Sequence, residues 1–104
     1  FYDINGPMFF GAAQNALKTL LNVNEDTNIV ILNMQNVSMI DMTAIVSLKS
    51  IVENFERKEK KLIFCGLNHK TIQTLKKANF KFEQNHLKNF SSINEAIEYA
   101  KFVV

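Results

Sequence analysis

The sequence predicts an α/β domain: a small sheet of about four strands, largely parallel, covered by four helices. Three observations predict it. Two short stretches, residues 28–34 (NIVILNM) and 61–67 (KLIFCGL), are nearly continuous apolar runs, the pattern of strands covered on both faces. The segments that follow each of them carry apolar residues at helical spacing. Strand-like and helix-like stretches then alternate along the whole chain, which argues for parallel pairing through helical crossovers. The chain has 104 residues, 47% hydrophobic and 21% charged, enough for one folded domain with one modest core.

Each element has its own signal. FYDI at the start reads as a short strand, broken by Asn5-Gly6-Pro7. From Met8 to Leu21 the apolar positions are 9, 13, 16, 17, 20 and 21, a helix whose first turns are slim at Gly11, Ala12 and Ala13. Residues 22–28 are polar and loop-like, and NIVILNM follows as a buried strand. Asp41 opens a second helix with an apolar stripe at 45, 48, 52 and 55, which ends in the charged segment 56–61. KLIFCGL is the second buried strand. Asn68 caps a third helix with Ile72 and Leu75 inward, ended by Ala78-Asn79-Phe80. Residues 81–90 are ambiguous, with a short edge strand expected around Phe82. Ser92 and Glu95 form a capping box for a last helix with Ile93, Ala96, Ile97 and Ala100 inward.

Composition bears on function mainly by exclusion. No apolar run approaches the roughly 20 residues of a membrane span. Asp3 and Asn5 interrupt any signal-peptide pattern. Cys65 is the single cysteine, which rules out an internal disulfide and a multi-cysteine zinc site. His69 and His86 stand apart with no ligand partner at metal spacing. The three glycines, at 6, 11 and 66, form no phosphate loop. No paired carboxylates or other assembled active site can be identified, and the phenylalanines sit in apolar runs rather than among exposed cations, which argues against nucleic acid. Between Lys49 and Lys88 ten basic residues face four acidic ones, a local surplus that reads as a solvated lysine face and suits anionic groups.

In such a sheet, ligands and partners meet the carboxyl ends of the strands, where the next helices begin. Asp41-Met42-Thr43 lies at one such end and residues 66–69 at another. Physics leaves two readings of the first. Asp41 is an N-cap whose carboxylate accepts first-turn N–H groups. Alternatively the helix start is a docking point where the Thr43 hydroxyl takes a phosphate, welcome at a helix N-terminus but repelled by Asp41.

The stretch VILNMQNVSMIDMTAIVSLKSIVENFERKEKKLIFCGL resembles the core of a STAS domain, the family named for sulfate transporters and anti-sigma factor antagonists. Ile40-Asp41 matches the family's Ile-Asp pair, Asn33 stands where the strand-end Asp is usual, and Met42-Thr43-Ala44 replaces the serine-rich, glycine-ended part. FYDINGPMFFGAAQNAL resembles the start of the cytoplasmic STAS domain of bacterial SulP anion transporters, with Gly-Pro, two aromatics and a small-residue helix. In the sigma-regulator branch the residue after the Asp is typically the phosphorylated serine. Here it is Met42, which cannot accept phosphate.

The resemblance implies a non-catalytic regulatory or interaction domain of a SulP-type transporter for sulfate, bicarbonate, dicarboxylate or a related anion. It implies one STAS domain over residues 1–104, excised from a longer membrane protein, on the cytoplasmic face of the plasma membrane. The isolated domain would be soluble. Its partners would be the transporter's own membrane part and a soluble cytoplasmic protein, without a cofactor, a metal or nucleic acid. Nucleotide or anion binding is only weakly implied. The expected interaction surface is Pro7, Phe9, Phe10, Ser38, Asp41, Met42, Thr43, Gly66 and Asn68, with Thr43 as the one phosphorylation candidate. The alternatives are a free-standing anti-sigma factor antagonist acting as a phospho-switch, and a small α/β enzyme, which would need a pocket of converging titratable groups.

Overall fold

The two apolar runs become the two inner strands of the sheet. A computed structural model describes residues 2–5, 10–22, 26–82 and 87–103. The order is β1 (Tyr2–Asn5), α1 (Phe10–Leu21), β2 (Ile29–Asn36), α2 (Met42–Arg57), β3 (Lys61–Cys65), α3 (His69–Lys77), β4 (Leu87–Phe90) and α4 (Ile93–Val103). The strands lie in the spatial order β1-β2-β3-β4 and every pair is parallel. Leu32 of β2 sits beside Phe64 of β3, and Phe64 beside Asn89 of β4.

Because strand side chains alternate, the two faces of the sheet take different residues. One face carries Val30, Leu32, Met34, Leu62 and Phe64, packed under Leu20 of α1, Leu48, Ile51 and Phe55 of α2, and Leu75 of α3. The other face carries Ile31, Ile63 and Cys65, with Ala96, Ile97 and Tyr99 of α4 against them. Lys88 Nζ lies 5.9 Å from the centroid of the Tyr99 ring, over the outer strand. Cys65 is fully buried in this second layer, as expected of a core cysteine.

Two expectations change. The stripe of α2 is wider than positions 45, 48, 52 and 55. Ile45, Leu48 and Phe55 are buried, Val52 is half-buried, and Ala44, Ser47 and Ile51 are buried as well. The helix lies against both the sheet and α1, where the Gln14 amide donates to Ser47 Oγ at 3.3 Å, so two flanks are covered rather than one. The outer strand is not around Phe82. It comes five residues later, at Leu87–Phe90. The Phe82 ring is drawn inward, edge-on to Phe64 with centroids 5.8 Å apart and tilted against Phe80. That contact holds residues 80–82 in the core layer and leaves β4 to pair with β3.

The ends of α2 and α3 are closed the same way. Lys60 N–H donates to Phe55 O and Glu59 N–H to Glu56 O. At α3, Phe80 N–H donates to Leu75 O and Asn79 N–H to Lys76 O. This is the Schellman pattern, which needs a left-handed residue, supplied by Glu59 at φ 57° and Asn79 at φ 70°. The box expected before α4 is half formed. Glu95 N–H donates to Ser92 Oγ at 3.3 Å, while the Glu95 carboxylate accepts from the Ser91 hydroxyl at 2.7 Å.

Candidate interaction surface at the carboxyl edge of the sheet

At the carboxyl ends of β2 and β3, two loops lie side by side. The β2–α2 loop turns at once: Val37 N–H donates to Met34 O at 3.0 Å. Asp41 then caps α2 with extended backbone. Its Oδ1 accepts from Ala44 N–H at 2.9 Å and from the Thr43 hydroxyl at 2.8 Å. The Ala44 N–H above all, then the Thr43 hydroxyl, hold the Asp41 carboxyl below its ordinary range, against a smaller opposing effect of desolvation. Thr43 is exposed, and its hydroxyl is engaged with the cap. A phosphate on Thr43 would remove that donor and place further negative charge beside the carboxylate.

The β3–α3 loop is shaped by Gly66. Its φ is +73°, and an added Cβ would lie 2.6 Å from Gln35 Cβ and 2.8 Å from Gln35 Cα. Only glycine lets the end of β3 pass this close to the end of β2. Gly66 N–H donates to Phe90 O, tying the same corner to β4. Asn68 then serves both loops. Its Oδ1 accepts from Thr71 N–H at 2.7 Å, capping α3, while its Nδ2 donates to Val37 O at 3.2 Å and Ser38 O at 3.5 Å.

The structure therefore brings Ser38, Asp41, Met42, Thr43, Gly66 and Asn68 onto one edge. Pro7 and Phe9 lie outside the described residues. Phe10 opens α1, which runs beside α2, as the Gln14–Ser47 bond shows. Two residues of this region were not singled out in the sequence. Met39 and Val46 are exposed apolar side chains, at 45% and 61%, next to Met42 at 72%. The signal was there: Val46 follows Met42 by four, so both fall on the outward face of α2. Nor is the lysine-rich segment one solvated face. Lys60 is buried, and Lys49 Nζ donates to Ala78 O at 2.7 Å across the α2–α3 seam.

Among the described residues no group of three or more His, Cys, Asp or Glu could hold a metal ion, and no helix is long and apolar enough to cross a membrane. His69 pairs with Gln73 on the surface of α3, and His86 lies outside the described residues.

The family model of the STAS domain matches residues 1–96. A solved structure of a sulfate transporter family protein from Wolinella succinogenes is 34% identical, covers 98% of this chain and 84% of its own, and superposes with a TM-score of 0.85. The SulP transporter STAS domain from Vibrio cholerae is 25% identical over 98% of this chain and 80% of its own, with a TM-score of 0.80. The anti-sigma factor antagonist SpoIIAA in its unphosphorylated form shares the fold at 15% identity, over 95% of this chain and 86% of its own, with a TM-score of 0.73. No curated protein matches the chain by sequence.

Proposed function

The chain belongs to the STAS domain family, and from that premise we propose that it is the cytoplasmic regulatory and interaction domain of a SulP-type secondary anion transporter. It acts by protein contact and catalyses no reaction. The 34% identity to a sulfate transporter family protein and the 25% identity to a SulP STAS domain support the transporter branch. The observation that carries the proposal is Met42. It follows the capping Asp41, is 72% exposed and has no hydroxyl, so this helix start offers an apolar contact where the switch branch carries a phosphate acceptor. Ser38, Asp41, Thr43, Gly66 and Asn68 frame that contact, and Pro7, Phe9 and Phe10 are proposed to contribute to it.

The test is the gene and then the transport. Ten or more spans of about 20 apolar residues upstream of Phe1 are expected. Anion uptake should change when the domain is deleted from the full-length protein. A start codon a dozen or two residues upstream with no spans would sink the proposal. A second reading, the free-standing antagonist of an anti-sigma factor, is favoured by one observation, the exposed residue Thr43 one position beyond the usual acceptor. Under it Thr43→Glu abolishes binding to a partner kinase. Under the transporter proposal no kinase binds the chain, with either residue at position 43.

A further inference from the structure

Between α2 and α3 runs an open groove of about 360 Å³, lined by Met42, Ile45, Thr74, Lys77 and Ala78. Its floor is apolar, from buried Ile45 and half-buried Ala78. Met42 forms one wall, and Val46 stands four residues along the same helix, both largely exposed. The Lys49–Ala78 bond closes the far end. From Met42 to Lys49 the groove is about 10 Å long, two turns of helix. That length holds one or two protruding apolar side chains of a third helix lying along the seam.

The α3 side of the rim is cationic. Lys70 and Lys77 lie seven residues apart, on the Thr74 flank of α3, and both are exposed. No aspartate or glutamate occurs from Lys60 to Phe82, so α3 itself and the loop before it carry no carboxylate. The carboxylates nearest to it lie away from this α3 flank. Asp41 keeps its charge at the Met42 end, where its Oδ1 is turned to Ala44 N–H and the Thr43 hydroxyl, and Glu53 and Glu56 line a separate pocket nearer Lys81. An apolar slot beside the lysines of α3 complements an amphipathic helix whose anchors are flanked by Asp and Glu. Exposed methionines suit such a role because their flexible side chains repack around different anchors.

We propose that the α2–α3 groove docks an acidic amphipathic helix of a protein partner, with apolar anchors entering between Met42 and Ala78 and carboxylates facing Lys70 and Lys77. This deepens the interaction surface proposed above and rests on it. It is tested on the 104-residue chain alone, so its failure leaves the transport result standing.

The probe is a designed helical peptide of roughly 18 residues, with leucines at i, i+3, i+4 and i+7 and glutamates on the flanks. It is titrated into the isotopically labelled chain and followed by amide NMR shifts. Shifts confined to Met42–Lys49 and Lys70–Ala78 are expected. The double variant Lys70→Glu, Lys77→Glu should bind at least about tenfold more weakly and should prefer the same peptide with lysine flanks. Met42→Ser with Val46→Ser should weaken both peptides. These side chains are exposed, and an unchanged melting temperature verifies each fold. Shifts elsewhere, or equal binding of a scrambled peptide, overturn the proposal. So does a silent peptide while phosphatidylglycerol vesicles bind through the same lysines, which would make this a lipid surface. A dimer in sedimentation that Met42→Ser abolishes would make it a self-association face and overturn it too.

Discussion

Helices α2 and α3 both begin at the carboxyl edge and both are capped by an Asx side chain, yet the two caps are built differently. Asp41 spends its bonds within its own helix, on Ala44 N–H and the Thr43 hydroxyl. Asn68 caps Thr71 with its oxygen and gives its amide to the carbonyls of Val37 and Ser38, thirty residues away in sequence. An aspartate could not do the second job, since an ionised carboxylate has no donor. An asparagine could cap α2 but would carry no charge to respond to pH. One helix start is thus autonomous, and the other is stitched to its neighbour.

The largest expected break in that comparison comes from the stitched side. Gly66→Ala forces a side chain into Gln35 at a positive φ, and should destabilise the chain by about 2–5 kcal/mol in urea unfolding. A cost below 1 kcal/mol would mean that the corner relaxes freely. Asn68→Ala removes the cap and the stitch together and should cost about 2 kcal/mol. Asn68→Asp keeps the cap and loses the stitch, so about half of that loss should remain. Equal costs for the two variants would show that the amide contributes nothing.

The autonomous side should differ in pH dependence. The folded-state pKa of Asp41 lies below its ordinary 3.8, so its contribution is complete above that value and is lost as pH falls through the depressed one. Melting curves of the parent chain and Asp41→Asn should therefore converge on acidification from pH 5 toward pH 2. Thr43→Val, lacking the hydroxyl bond, should move the carboxyl titration upward, as carboxylate NMR would read. Parallel curves for the parent and Asp41→Asn would deny any linkage at this cap.

The same two helices differ at their other ends, and there the smallest effect is expected. Both use a left-handed residue, but α3 supplies Asn79, which tolerates that conformation, and α2 supplies Glu59, which does not. Glu59→Gly should raise stability by roughly 0.5–1 kcal/mol, and Asn79→Gly by less.

Much of this was legible in the residues. The continuous runs 28–34 and 61–67 announced buried parallel strands, and Asn68 and Asp41 announced helix starts, because these signals are local. What could not be read was set by distant contacts. The outer strand at 87–90 depends on Phe82 turning in against Phe64, which no pattern in 81–90 declares. The burial of Ile51 and Ser47 depends on α1 lying beside α2. The site divides the same way. Asp41 as a cap was visible from its position. The bond from Thr43 back to it, the second role of Asn68 and the steric demand at Gly66 all emerge only when two loops are side by side.

Cys65, the one thiol of the chain, is fully enclosed at the carboxyl end of the inner strand β3, beside Ile63 and under the α4 layer. Its Sγ lies 3.7 Å from Asn33 Oδ1 on the neighbouring strand. No alkylating reagent can reach it unless the strands part or α4 lifts away. The rate at which this thiol is labelled is therefore a clock for opening events, readable by mass spectrometry in plain buffer without denaturant. Every variant named above can be ranked on that clock in the isolated chain, with no residue added as a label.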